Sequence, residues 1–401
     1  MIASAQSAQS NISIATQSQN PPIEVFELSI ICDGAVSLAV ASLLSNAGHT
    51  IRLCPINENE KTLASFVERL PVEFEIRDRG AAVCSYRGKT AFDVVTPNLF
   101  TALKDSDGVL IAQSVTEYSA LVDRLATVIT NGQTVLLCNA PLGAALQFKQ
   151  LMRRRNKELK LNVIEIGNLF DCARVEGNVL LITGQRDKVS FCGNTRNETR
   201  RGIAIANTIS NGLVPTSNVI ERGLSEVEKI LRPVFLLFAL LGGRNNELDN
   251  IGNLVNPSLI KLIASLDSEI QALAKVYHVV VPSFLETLTH FGGEGMEEAD
   301  CLGQALINIA GNLLEQRLCE QTGAQMGLET ATRLLESGVI ETFTLLSEFA
   351  RLSRMRAPVI NSVIDLASVV ANSDLEKNGR KLSDLGLLGF DVQEIVEMIN
   401  A

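Results

Sequence analysis

His49, His278 and His290 are the only imidazoles in this chain, so acid–base chemistry run by a histidine must use one of them. Eight cysteines stand at positions 32, 54, 84, 138, 172, 192, 301 and 319, with no CxxC pair among them. Several end or interrupt apolar runs, as Cys138 does in TVLLC. That pattern fits buried, reduced thiols rather than a disulfide frame or a zinc site. The acidic group Glu294, Glu297, Glu298 and Asp300 has no accompanying ligand at matching spacing. It reads as a solvated helix start favoured by the helix dipole, not as a metal site.

The stretch Cys32-Asp33-Gly34-Ala35-Val36-Ser37 joins a strand-like run to an amphipathic helical one. Such a turn is where an α/β domain cradles a dinucleotide pyrophosphate, usually with three glycines. Only the middle one, Gly34, is present, so the candidate cofactor-binding segment is Gly34, Ala35, Val36 and Ser37. Cys32 brings a side chain to a turn where none is usually wanted. A carboxylate such as Asp33 about 4 Å from a phosphate would be repelled by roughly 4 kcal/mol per charge at an effective dielectric near 20. Asp33 also suits the helix cap, but a cap would occupy the anion position itself, so both readings weaken cofactor binding. The second strand ends Leu53-Cys54-Pro55-Ile56-Asn57 with no acid before Glu58. Nothing there marks NAD over NADP.

The elements that must position these residues follow from periodicity. Residues 1–22 are rich in Ser, Gln, Asn and Ala, end in Pro21-Pro22, and are expected to form a disordered tail. From Val25 a strand, the turn, a helix stopped near Gly48 and a second strand open a βαβ pattern. Short apolar strands recur at VEFEI, AAVCSY, GVLIAQ, TVLLCN, NVIEI and NVLLITG. Helical stretches are read near 59–70, 116–131 and 143–155. This alternation predicts a parallel sheet covered on both faces over residues 23–195. From 196 to 401 the apolar period is close to 3.6, which predicts an all-helical second domain.

With 401 residues, 46% of them hydrophobic, the chain is long enough for two such domains. A net charge of −10 and the absence of Trp disfavour nucleic acid and anionic membrane as partners. The longest apolar helix candidate, Pro233 to Gly243, falls short of the roughly 20 residues a membrane span needs. The N-terminus lacks the basic start and apolar core of a secretory signal. A soluble cytoplasmic protein is therefore expected.

Six segments in order resemble the octopine and nopaline (opine) dehydrogenase family from about Glu27 to the C-terminus. They are Ile30 to Ala39 at the turn, Cys54-Pro55-Ile56, and Gly143 to Phe148, which is similar to a GGALEF-type helix start. Glu165 to Arg174 follows, then Asn218-Val219-Ile220-Glu221 with Leu224-Ser225, similar to NVLE…LS. Gly379 to Leu387 resembles the GR-x-L-x-DLGL signature. The resemblance implies a Rossmann-like N-terminal domain followed by an all-α domain, as in 6-phosphogluconate-dehydrogenase-like architectures. It also implies NAD(P) as cofactor and reduction of the imine between an amino acid and a 2-oxo acid in the inter-domain cleft. A homodimer is possible in such folds.

The family's acid/base His lies in an NPVxHP motif and its Asp partner in RYLxEDV. Counted from Asn218, the His position holds Arg232, followed by Pro233, and the Asp position holds Gly338. Arg stays protonated and cannot act as a general base, and Gly orients nothing. His49 falls in the sheet domain, His278 reads as a helix-end or packing residue, and His290 as a loop residue beside Phe291-Gly292-Gly293. The resulting expectation is a member that has lost standard opine synthesis and kept its cleft for a ligand or partner. Arg232 would then hold an anionic, carboxylate-bearing small molecule or form a salt bridge to a nearby acid. Two alternatives stay open: an NAD(P)-dependent oxidoreductase with another proton donor, and a non-redox enzyme reusing the cleft.

Overall fold

The structure, a computed structural model, describes residues 25–56, 71–78, 84–186, 188–209, 212–242, 254–291, 301–307 and 327–400. The 1–22 tail, the helix read at 59–70, Glu58, the acidic group at 294–300 and Cys319 lie outside the described residues.

An eight-stranded sheet forms the first domain. Its strands are β1 (Glu27–Cys32), β2 (Thr50–Pro55), β5 (Val94–Val95), β6 (Gly108–Ile111), β7 (Thr134–Leu137), β8 (Asn162–Ile166), β11 (Val189–Gly193) and β12 (Leu213–Pro215). They run in the order β12-β11-β8-β7-β6-β1-β2-β5. All neighbours are parallel except β11 against β8. The central strands GVLI and TVLL are buried along their whole length, because both sheet faces are covered. The order reverses between β1 and β6, so a crevice opens beyond their carboxyl ends, the usual ligand position in such sheets.

A second sheet of four strands, absent from the sequence expectation, comprises β3 (Val72–Arg77), β4 (Cys84–Thr90), β9 (Phe170–Glu176) and β10 (Val179–Gln185). Its order is β4-β3-β10-β9, with only β3 and β10 parallel. The helix Ala35–Asn46 lies between the two sheets, which explains why AVSLAVASLL is apolar nearly all round. Leu38 and Val40 share one core with Phe74, Leu180 and Ile182 of the smaller sheet.

The expected domain boundary at 195/196 moves. Helix Arg196–Ile209 packs on β8 and β11, and β12 pairs with β11, so the sheet domain runs to Pro215. Only three residues long, LVP offered no periodicity to read.

The second domain is helical. Its central helix, Val227–Leu241, buries Val227, Ile230, Leu231, Val234, Phe235 and Leu237 and packs against Leu328–Gly338. Helices Pro257–Val276 and Pro358–Ala371 complete this core, each with proline at its start. After Gly338 the chain makes a π-helical turn, Val339–Phe343, before Thr344–Leu352.

Cys32, Cys54, Cys138, Cys172 and Cys192 are buried, as the apolar runs suggested, whereas Cys84 is half-buried and Cys301 exposed. Among the described residues no helix is long and apolar enough to cross a membrane.

Candidate active-site cleft between the two domains

The domains meet on buried charge. Arg222, on the short helix Val219–Leu224, donates from Nε to Glu165 Oε2 at 2.6 Å and from Nη2 to the Pro141 carbonyl at 2.8 Å. Both side chains are fully buried. The other Glu165 oxygen accepts from the Ala145 amide at 2.7 Å, at the start of helix Ala144–Arg155. Burial pushes the Glu165 carboxyl up while Arg222 and the Ala145 amide pull it back. Next to Arg222, Gly223 leaves no space for a side chain, since a Cβ there would stand 2.7 Å from the Leu142 Cα.

Arg380 is a second fastener. It donates from Nη1 to the carbonyls of Leu142 (2.7 Å) and Glu341 (2.8 Å) and from Nε to Gln147 Oε1 (2.7 Å). Burial lowers its pKa to about 10, opposed by nearby Glu341 and Glu165. Gly143 and Leu385 touch as well, so the segments Gly143–Phe148 and Gly379–Leu387 form one joint. Glu341, on the π-helical turn, accepts from Ser114 Oγ at 2.6 Å, just beyond β6.

A cleft of about 420 Å³, counting the space open to solvent, is lined by residues of both domains. Its sheet-side wall is Val36, Cys138, Asn139 and residues 168–173, and Arg232 lines it from the helical side. Arg232 and the Val36 of the phosphate-type turn therefore share one space. Asn139 follows β7 with φ +55°, a left-handed conformation that Asn tolerates. Asn139, Asn168 and Asp171 were not singled out from the sequence. Their signal was position: each follows or joins strand ends where open sheets bind ligands.

Asp171 is held in place. Arg186 Nη2 donates to Asp171 Oδ1 at 3.0 Å and to Glu228 Oε2 at 2.5 Å, all three side chains being buried. Gly184, at φ +64°, makes room, for a Cβ there would come 2.2 Å from Asp171 Oδ2. Burial opposes the Arg186 charge, but Glu228 and Asp171 outweigh it and raise its pKa.

At the turn, two expectations are corrected. Helix Ala35–Asn46 is capped at Gly34, not at Asp33. The Asp33 carboxylate instead accepts the Ser37 hydroxyl at 3.0 Å, and Ser37 Oγ accepts the amides of Asp33 (3.1 Å) and Gly34 (3.2 Å). Cys32 does not obstruct the turn: it is fully buried in the core beneath, 3.5 Å from Ser37 Oγ. A Cβ on Gly34 would meet nothing within 4 Å, so the turn leaves room for a side chain there. Any anion approaching Gly34 would meet the nearby Asp33 charge.

Among the described residues no imidazole lines the cleft. His49 is buried in the sheet domain, where its Nδ1 accepts the Phe26 amide at 3.2 Å and burial lowers its pKa. His278 is exposed, with φ +54°, just past helix Pro257–Val276. His290 lies on helix Phe284–Phe291. The position of Gly338 is settled by packing: a Cβ there would stand 2.7 Å from Pro233 Cγ. Gly338 is thus packed against Pro233, the residue after Arg232. Cys138 offers no substitute, because burial pushes its thiol up to about 12.

No protein-family model matches the chain. A curated opine dehydrogenase from Arthrobacter sp. (strain 1C) is 25% identical over 355 residues, covering 86% of this chain and 94% of that protein. An octopine dehydrogenase solved with NADH and agmatine superposes with a TM-score of 0.72 at 10% identity, covering 93% of this chain and 98% of that one. A yersinopine dehydrogenase with NADP+ bound gives 0.61 at 12% identity, covering 94% and 98%. The chain thus has the fold of the solved opine dehydrogenases and is similar in sequence, over most of its length, to the Arthrobacter opine dehydrogenase.

Proposed function

We propose that this protein uses the inter-domain cleft to bind a small anionic molecule, a carboxylate held by Arg232, and does not carry out histidine-dependent opine synthesis. The observation that carries this reading is the place of Arg232. It lines the cleft together with Val36 of the turn and Asp171 of the sheet wall, and motif counting from Asn218 assigns it to the family's imidazole position. A guanidinium there binds a carboxylate through two parallel N–H donors and releases no proton at working pH. The close packing of Gly338 on Pro233 supports the same reading, since no carboxylate can be restored there without moving a helix. The test combines two assays on the full chain. Calorimetry with a simple carboxylate should show binding that Arg232→Gln removes. NADH or NADPH oxidation with amino acid and 2-oxo acid mixtures should show no opine formation. Turnover at rates ordinary for enzymes would refute the reading.

One observation favours a second reading, an NAD(P)-dependent oxidoreductase with another proton source. A side chain at Gly34 would meet nothing within 4 Å and Cys32 is buried in the core, so neither residue blocks the turn. Gly34, Ala35, Val36 and Ser37 would hold the pyrophosphate, and the cofactor would supply a hydride to the cleft. Titration with NADH and NADPH separates the two. Tight binding favours the oxidoreductase, and no binding at millimolar cofactor favours the ligand-binding protein.

A further inference from the structure

We infer that Asn139 is the second ligand-binding residue of the cleft, its carboxamide nitrogen donating to the carboxylate that Arg232 holds, so that the anion bridges the two domains. This rests on the reading of Arg232 as the anion-holding group. Asn139 stands in the turn that follows β7 and lines the cleft from the sheet side. Its neighbours Cys138 and Ala140 are each 1% exposed, whereas Asn139 is half-buried, so what solvent reaches of this turn is Asn139. Among the described residues nothing donates to or accepts from its carboxamide, and neither polar atom is sealed from solvent. The amide is therefore accessible and uncommitted.

The backbone gives a second observation. Among the described residues, five other than glycine have a positive φ: Asp105, Asn139, His278, Arg354 and Asn372. Four of them stand at or just past a helix end, where that conformation closes the last turn. Asn139 alone follows a strand, and it is the one in the cleft wall. Glycine would serve such a turn with less strain. The side chain that stands there has no bond within the protein to account for it, and a ligand contact supplies one.

The chemistry is complementary. A carboxylate offers about four lone-pair positions, and a guanidinium with two parallel N–H donors takes about two of them. A neutral donor such as Asn139 Nδ2 suits those that remain. The two arms belong to different domains, for Asn139 is fixed to β7 and Arg232 to helix Val227–Leu241.

The experiment is calorimetric titration of propanoate into the full chain, Asn139→Gly and Asn139→Asp. Both replacements tolerate the left-handed backbone, so the turn and the thermal midpoint should be kept. Asn139→Gly should weaken binding about three- to tenfold, through the lost hydrogen bond. Asn139→Asp should weaken it at least about tenfold further, because an isosteric like charge then faces the anion. A residue that only shaped the turn would not separate the two variants. Unchanged affinity in either variant, or equal affinity in both, would overturn the role of Asn139 and leave the Arg232 reading intact, and one folded variant is enough to decide. Failure of the unmodified protein to bind propanoate would remove the anion reading itself, and this inference with it.

Discussion

Gly338 packs so closely on Pro233 that a methyl group in place of its hydrogen would lie 2.7 Å from the proline ring. Two helices approach there at a residue without a side chain and a residue without an amide hydrogen. Gly338→Ala is expected to destabilise the fold by about 1–3 kcal/mol through overpacking, despite the better helix propensity of Ala. Urea denaturation measures it, and an unchanged or raised midpoint would show that the helices have slack. For the same reason, Arg232→His with Gly338→Asp should not create opine synthesis.

The buried pair Glu165–Arg222 holds the domains together at a site closed to water. Removing one partner strands the other charge, so Glu165→Ala should cost about 3–5 kcal/mol. Replacing both with apolar residues of similar volume should cost far less. Denaturation of the single and double variants gives the comparison, and equal losses would contradict the assigned pairing.

His49 gives stability a pH dependence of known sign. Burial holds its pKa below the ordinary 6.5, and its neutral Nδ1 accepts the Phe26 amide. As pH falls, the unfolded chain therefore takes up this proton before the folded one. The contribution is complete above the unfolded value and is lost as pH drops toward the folded one. The urea midpoint should fall between about pH 7.5 and about pH 5.5, and His49→Gln should flatten that fall. An identical slope in the variant would rule His49 out as a source.

Much of this was legible in the sequence because it rests on local periodicity. Strands form within VEFEI, GVLIAQ, TVLLCN, NVIEI and NVLLITG and from the Cys84 of AAVCSY, whose first three residues lie outside the described ones, and helices form at Ala35–Asn46 and Ala144–Arg155. What the sequence concealed was long-range. VEFEI and NVLLITG look like neighbours of TVLLC, yet they pair with each other in a separate sheet, and strand partners are not encoded in alternation. Asp33 has the residue type of a cap, but the turn places its carboxylate on Ser37. Cys32 read as an obstruction only while its direction was unknown. Arg232 and Gly338 were reached by counting along the motifs, whereas Asn168 and Asp171 became visible only once the strand ends were seen to converge on one cleft.

The central claim is that Arg232 is the cleft's anion-holding group, and it is tested most directly by titrating propanoate into the unmodified protein and into Arg232→Gln. The substitution should weaken binding at least about tenfold, since a bidentate charged contact is lost. The thermal midpoint should stay within about 2 °C, as befits a partly exposed side chain outside the core. Equal affinity in the two proteins would contradict the account.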